Sequence, residues 1–164
     1  MKEKIINGIN YRLNGWTKTA EVIKKSGGYE GDIVIPETVV FNERTYRVTS
    51  IGKEAFAFCY PLTSITIPNS VKSIGWKAFL DCEPLKEICI PNSVTSIGKK
   101  AFASCSNLSD IAISNSATSL EESVFSDCSE LTDITIPDSV TSIGESAFKG
   151  CSKLKIIRFA GTIA

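Results

Sequence analysis

Five of the six cysteines, Cys59, Cys82, Cys105, Cys128 and Cys151, recur every 23 residues. Thiols in such a column would hold a metal, pair as disulfides or act as nucleophiles. A structural zinc site needs four close ligands, supplied by histidines or closely spaced Cys-x₂₋₄-Cys pairs, and the chain has neither. Five members of one column cannot all pair. Stacked at the ~4.8 Å strand spacing, their Cβ atoms would also lie beyond the usual disulfide window. We therefore expect five buried free thiols packed as small core residues. Cys89, off the column, is expected to be exposed. The missing histidine removes the commonest general base and with it any serine–histidine nucleophile. No glycine motif for phosphates or dinucleotides is present. The sequence thus predicts no enzyme, no cofactor and no metal. A second column at the same interval is acidic: Glu87, Asp110 and Asp133. Stacked carboxylates would suit a basic partner, a divalent cation or a glycan. Equally, they would form a solvated face that discourages aggregation.

Both columns belong to a repeat. One unit reads L-x-x-I-x-I-P-x-S-V-x-x-I-G-x-x-A-F-x-x-C-x-x, filled from Leu62 by Ile65, Ile67, Pro68, Val71, Ile74, Gly75, Ala78, Phe79 and Cys82. Ile65 and Ile67 flank an outward Thr66, the alternation of a short strand with one buried face. Pro68 lacks an amide donor and closes the strand. Gly75 is expected to allow a tight bend. The Lys-Ala-Phe-Leu stretch after it is too short for a stable helix and reads as one helical or 3₁₀ turn. Alternation puts two columns outward. The first is Ser64, Glu87, Asp110, Asp133 and Ile156; the second is Thr66, Cys89, Ala112, Thr135 and Arg158. The candidate binding stripe is therefore Glu87, Asp110 and Asp133, with Thr66, Thr135, Lys86, Lys155 and Arg158 beside it. A single coil cannot bury its own apolar face, so neighbours must stack into a one-dimensional solenoid.

The segments 65–82, 88–105 and 134–151, each of the form I-x-I-P-x-S-V-x-S-I-G-x-x-A-F-x-x-C, resemble the leucine-rich-repeat family typified by the bacterial surface protein BspA. The resemblance covers roughly Ile33 to the C-terminus. It implies a right-handed leucine-rich-repeat solenoid of the α/β horseshoe type. A parallel β-sheet would line the concave face, with short 3₁₀ or helical turns and extended segments on the convex side. It further implies a non-catalytic protein-interaction or adhesion module, secreted or at the cell surface, whose partner is a host or bacterial surface protein or a glycan. A carbohydrate- or cation-binding surface domain, or a structural spacer, are the alternatives.

The expected organisation is an N-terminal β-hairpin cap over 1–28, turning at Asn14-Gly15, and a solenoid over 29–164. Its first coil, 30–61, is enlarged, with a small hairpin expected between Val39 and Val48. Regular coils follow at 62–84, 85–107, 108–130 and 131–153, and a partial coil at 154–164. Coil 108–130 is degenerate: Ser114, Ala117, Leu120 and Glu121 replace the proline, valine, isoleucine and glycine. It is expected to be the weakest, Glu121 more so if the site needs positive φ. Leu154, Ile157 and Phe159 would leave an open strand suited to an end-to-end homodimer. Trp76 stands where sister coils carry Lys99, Glu122 and Glu145, and is expected on the convex side, partly exposed. Eighteen basic residues balance 18 acidic ones, so no nucleic-acid footprint is expected. Met1 to Asn10 has two lysines but no apolar run or cleavage site, so no signal peptide is expected within the chain. No apolar run reaches transmembrane length.

Overall fold

The computed structural model of the chain describes residues 1–161. The end of the expected partial coil, 162–164, lies outside them. The N-terminal segment is a three-stranded meander rather than a single hairpin. Its strands are β1 (Lys2–Ile6), β2 (Ile9–Asn14) and β3 (Thr19–Val22). The first turn is at Asn7-Gly8, both left-handed at φ 49° and 81°, the two-residue turn whose twist matches antiparallel strands. The expected Asn14-Gly15 turn joins β2 to β3, where the Asn14 side-chain oxygen accepts from the amides of Trp16 and Thr17. Tyr11, Leu13, Ala20 and Val22 are buried on one face of this meander.

The first coil contains β4 (Gly31–Val34), β5 (Thr38–Phe41) and β6 (Arg44–Ile51). The hairpin expected between Val39 and Val48 is β5–β6, closed by Asn42 and Glu43 at φ 48° and 60°. Its strand β6 pairs in parallel with β3, so the meander joins the solenoid edge to edge. Each later coil gives two strands. They are β7 (Leu62–Thr66) and β8 (Ser73–Ile74), β9 (Glu87–Cys89) and β10 (Ser96–Ile97), and β11 (Asp110–Ala112) and β12 (Ser119–Leu120). β13 (Asp133–Ile136), β14 (Ser142–Ile143) and β15 (Ile156–Phe159) complete the set.

The face expected to be one continuous sheet is three parallel two-stranded ladders: β4–β7, β9–β11 and β13–β15. A second, longer sheet runs β1-β2-β3-β6-β8-β10, with β5 attached to β6. Between the strands lies one core of stacked columns. Phe56, Phe79, Phe102 and Phe125 are fully buried, as are Leu62, Leu85, Leu108 and Leu131. Tyr29 begins the aromatic stack at 4.6 Å from Phe56. Its hydroxyl donates to the Ile23 carbonyl and accepts from the Asn10 amide, tying the meander to the first coil.

Two further expectations need correction. No α-helix or 3₁₀-helix follows the glycine among the described residues, only successive turns, so the helical outer side of an α/β horseshoe is not there. The amides of this stretch alternate in direction. Those of Ala78, Leu80 and Cys82 donate three residues back within the coil, at 3.2, 3.1 and 3.3 Å. Those of Lys77, Phe79 and Asp81 donate to Lys99, Ala101 and Ala103 of the next coil, at 3.0, 2.8 and 2.8 Å. A helix directs every amide along its own axis. Left-handed residues such as Lys77 and Asp81, at φ 54° and 60°, break that direction. Nor is Gly75 needed for positive φ. A Cβ there would stand 2.7 Å from the Lys53 nitrogen and 2.8 Å from the Gly52 carbonyl carbon. Glycine is needed because two backbones touch.

Glu121 has the Cβ that this approach forbids. Gly75 and Gly98 each donate to the preceding coil at 2.8 Å, to Ile51 and Ile74. Glu121 makes no such bond to Ile97 among the described residues, and β12 pairs with β14 but not with β10. The core registers the change. Ring spacing in the phenylalanine stack is 5.1 and 5.2 Å through Phe102, then 5.6 and 5.8 Å, and the tilt rises from 3–4° to 15–17°.

Candidate functional site

The cysteine column is a hydrogen-bonded element of the core. All six cysteines are free; Cys59, Cys82, Cys105 and Cys128 are buried, Cys151 is half-buried and Cys89 is exposed. Four thiols of the column donate to the phenylalanine carbonyl 26 residues earlier: Cys82 to Phe56 at 2.9 Å, Cys105 to Phe79 at 3.1 Å, Cys128 to Phe102 at 3.2 Å and Cys151 to Phe125 at 3.0 Å. A small side chain with one weak donor fits this place. Burial pushes the Cys128 thiol up to about 12. Hydrogen bonding with the Cys82 thiol, with burial, holds Cys105 well above the ordinary thiol range. A protonated buried thiol is neither a nucleophile nor a ligand. Native labelling with a maleimide should therefore modify Cys89 first, with the four buried thiols of the column reacting only after unfolding. Six rapid labels on the native protein would refute the sealed column.

The strand face carries the expected outward residues. Glu87, Asp110, Asp133, Thr66, Thr135, Lys86, Lys155 and Arg158 are all exposed. The register brings Glu87 directly opposite Asp110, with Cys89 opposite Ala112. Asp133 does not complete a row of three like charges. It lies on the next ladder, and its carboxylate accepts from the Arg158 guanidinium at 3.0 Å. An exposed pair of this kind contributes little to stability, but it removes a free charge from the stripe. Lys86 and Lys155 make no salt bridge among the described residues.

Asp32 belongs to the same column and escaped the sequence reading. It pairs in register with Ser64. Its carboxylate accepts from the Ser64 and Thr63 hydroxyls at 2.7 and 2.8 Å. Those bonds, Ser64 first, hold its carboxyl below the usual carboxylate range. The match of Ile33 to Ile65 was the available signal, since it places Asp32 over Ser64.

The small side chains of Cys89 and Ala112 leave two open depressions on this face. One is bordered by Ser64, Thr66, Glu87 and Asp110. The other is bordered by Asn69, Asn92, Asn115, Pro91 and Pro137. Asn92 accepts from the Asn115 amide through its side-chain oxygen at 2.9 Å, which leaves its amide nitrogen available as a donor. The described residues hold no group of three or more metal-ligating side chains.

Residues 47–164 match the BspA type leucine rich repeat region, in 6 copies. The chain belongs to the BspA-type leucine-rich repeat family. Among solved structures, a leucine rich cell surface protein from Faecalibacterium prausnitzii is 34% identical with a TM-score of 0.85, over 97% of this chain and 43% of that one. The leucine rich repeat protein of T. pallidum is 29% identical with a TM-score of 0.84, over 95% of this chain and 71% of that one. The pneumococcal vaccine antigen PcpA, at 20% identity and a TM-score of 0.73 over 96% of this chain and 50% of that one, shares the fold. The chain thus spans less than half of the F. prausnitzii leucine rich cell surface protein. No curated protein matches it. Among the described residues no helix is long and apolar enough to cross a membrane. The cysteine, leucine and phenylalanine columns are the buried signature of these BspA-type repeats. The outward columns are where this chain departs from its own period.

Proposed function

We propose that this chain is a non-catalytic protein-interaction and adhesion module, displayed at a bacterial surface or secreted. In this reading the partner docks on the strand face and places a basic group between Glu87 and Asp110. The observation that carries the reading is the juxtaposition of these two carboxylates in register on adjacent strands, with no cation bonded to either among the described residues. In water such a pair repels by about 1 kcal/mol at strand spacing, and a cationic side chain would relieve that repulsion. The depressions over Cys89 and Ala112 give the rest of a partner somewhere to enter. The 34% identity to a leucine rich cell surface protein supports the location. The donor nitrogens of Asn69, Asn92 and Asn115 favour a glycan as the second reading.

The test is the double variant Glu87→Gln, Asp110→Asn, measured against immobilised extracellular-matrix proteins and lysine-rich peptides. Binding should weaken about tenfold or more, equivalent to about 1.4 kcal/mol. Urea stability should hold or rise, because like charges directly opposite one another destabilise a sheet. Undiminished binding would remove the strand face from consideration. Binding to neutral sugars that survives the double variant but is lost with Asn92→Ala would favour the second reading.

A further inference from the structure

We propose that the turn side of the coils around Trp76 is a second interaction surface, and that it takes a linear polyanion of the sulfated-polysaccharide class. Trp76 is the only tryptophan within the repeats, 37% exposed. The Lys53 ammonium lies 4.5 Å and the Lys77 ammonium 4.2 Å from the centre of its ring. The Glu54 amide donates to the Trp76 carbonyl and the Lys77 amide to the Lys99 carbonyl, both at 3.0 Å. Lys53, Lys77, Lys99 and Lys100 therefore stand side by side on three consecutive coils.

This band keeps its positive charge. Lys53, Lys77 and Lys100 have no carboxylate partner among the described residues; Lys99 reaches Glu122 at 3.2 Å. The one acid within the band, Glu54, is already met by Lys24 at 3.6 Å. In the following coils the same positions are Glu122, Ser123, Glu145 and Ser146, so the band ends abruptly. A chain of zero formal net charge has concentrated unpaired lysines in one place.

The aromatic ring sets the class of ligand. Single-stranded nucleic acids stack their bases on free aromatic faces, whereas this ring is engaged by two ammonium groups. A folded protein partner needs a dry apolar anchor, and the band's exposed aromatic, Trp76, is already engaged by two ammonium groups. What remains is a row of point charges. Lysine ammoniums are compact and rotatable and do not demand the bidentate geometry that arginine imposes. They suit anionic groups spaced along a flexible chain. Contact with the indole restrains two of the ammoniums, so less side-chain freedom is lost when the ligand arrives.

The probe is heparin, titrated calorimetrically into the full chain at several salt concentrations. Affinity should fall linearly in log–log coordinates as counterions are released. The triple variant Lys53→Ala, Lys77→Ala, Lys100→Ala should bind about tenfold more weakly or worse, with the salt slope reduced by about one for each contact removed. Trp76→Ala should weaken binding with the slope unchanged, because the charges remain while their restraint is lost. Glu87→Gln, Asp110→Asn should bind heparin as tightly as the parent or tighter, which keeps this surface distinct from the strand face. Parent-like heparin binding by the triple variant, or equal binding of desulfated heparin, would overturn the proposal. Tighter binding of duplex DNA or of an acidic protein than of heparin would overturn the choice of ligand.

Discussion

Replacing Phe102 by alanine is expected to lower stability by about 3–5 kcal/mol. Its ring is fully buried and stacks at 5.2 Å on Phe79 and at 5.6 Å on Phe125. Alanine would remove packing from both neighbours at once and leave a cavity that collapse cannot easily fill, because the coils on either side are held at fixed spacing by backbone hydrogen bonds. Phe148, which is only half-buried at the end of the stack, provides the comparison. Phe148→Ala should lose clearly less. Urea unfolding followed by circular dichroism measures both, and equal losses would mean that the stack is not the shared element described above.

Substitutions at two equivalent positions should move stability in opposite directions. Gly98→Ala puts a methyl 2.7 Å from the Trp76 nitrogen and 2.8 Å from the Gly75 carbonyl carbon. Backbone cannot rotate away as a side chain can, so the coils must part, at a loss of about 1–3 kcal/mol. Glu121→Gly should do the reverse. Closing the gap between β10 and β12 would restore a ladder bond, each worth about 0.5–1.5 kcal/mol, against an entropic penalty for glycine of about 0.5–1 kcal/mol. Recovered packing across the coil junction would add to this, for a net gain of about 1 kcal/mol. Amide hydrogen exchange gives the sharper reading. Exchange near Ser119–Glu121 should be faster than near Ser96–Gly98 in the parent protein, and should slow in Glu121→Gly. Equal protection of the two regions in the parent would sink the account of Glu121 as the place where the coils separate.

The repeat made most of the buried architecture legible before any coordinates. Three columns at one interval placed the leucines, phenylalanines and cysteines inside, and alternation placed Glu87 and Asp110 outside. Both are properties of local pattern. What the pattern concealed depends on contacts between coils. Gly75 reads in sequence as a bend residue, but its necessity arises from the Lys53 nitrogen on another coil. The turn after it reads as nascent helix, because apolar spacing does not reveal which way an amide points. The acidic stripe looked like three equal members. Arg158, 25 residues beyond Asp133, neutralises one of them, and Asp32 adds another from a coil whose irregular length hid its alignment. Asn7-Gly8 is a plain two-residue turn signal, overlooked because Ile5, Ile6 and Ile9 look like one apolar run.

The alternation of amides on the turn side bears on how such a chain changes over generations. The bonds joining Lys77 to Lys99, Lys100 to Glu122 and Ser123 to Glu145 are main-chain bonds at 3.0, 3.0 and 2.9 Å. They form equally well whether the residues are basic, acidic or neutral. Cohesion between coils therefore asks little of the outward side chains, and substitution can rewrite the outward face without first repairing the fold. The outward face can diverge quickly on such a frame while the frame itself stays the same.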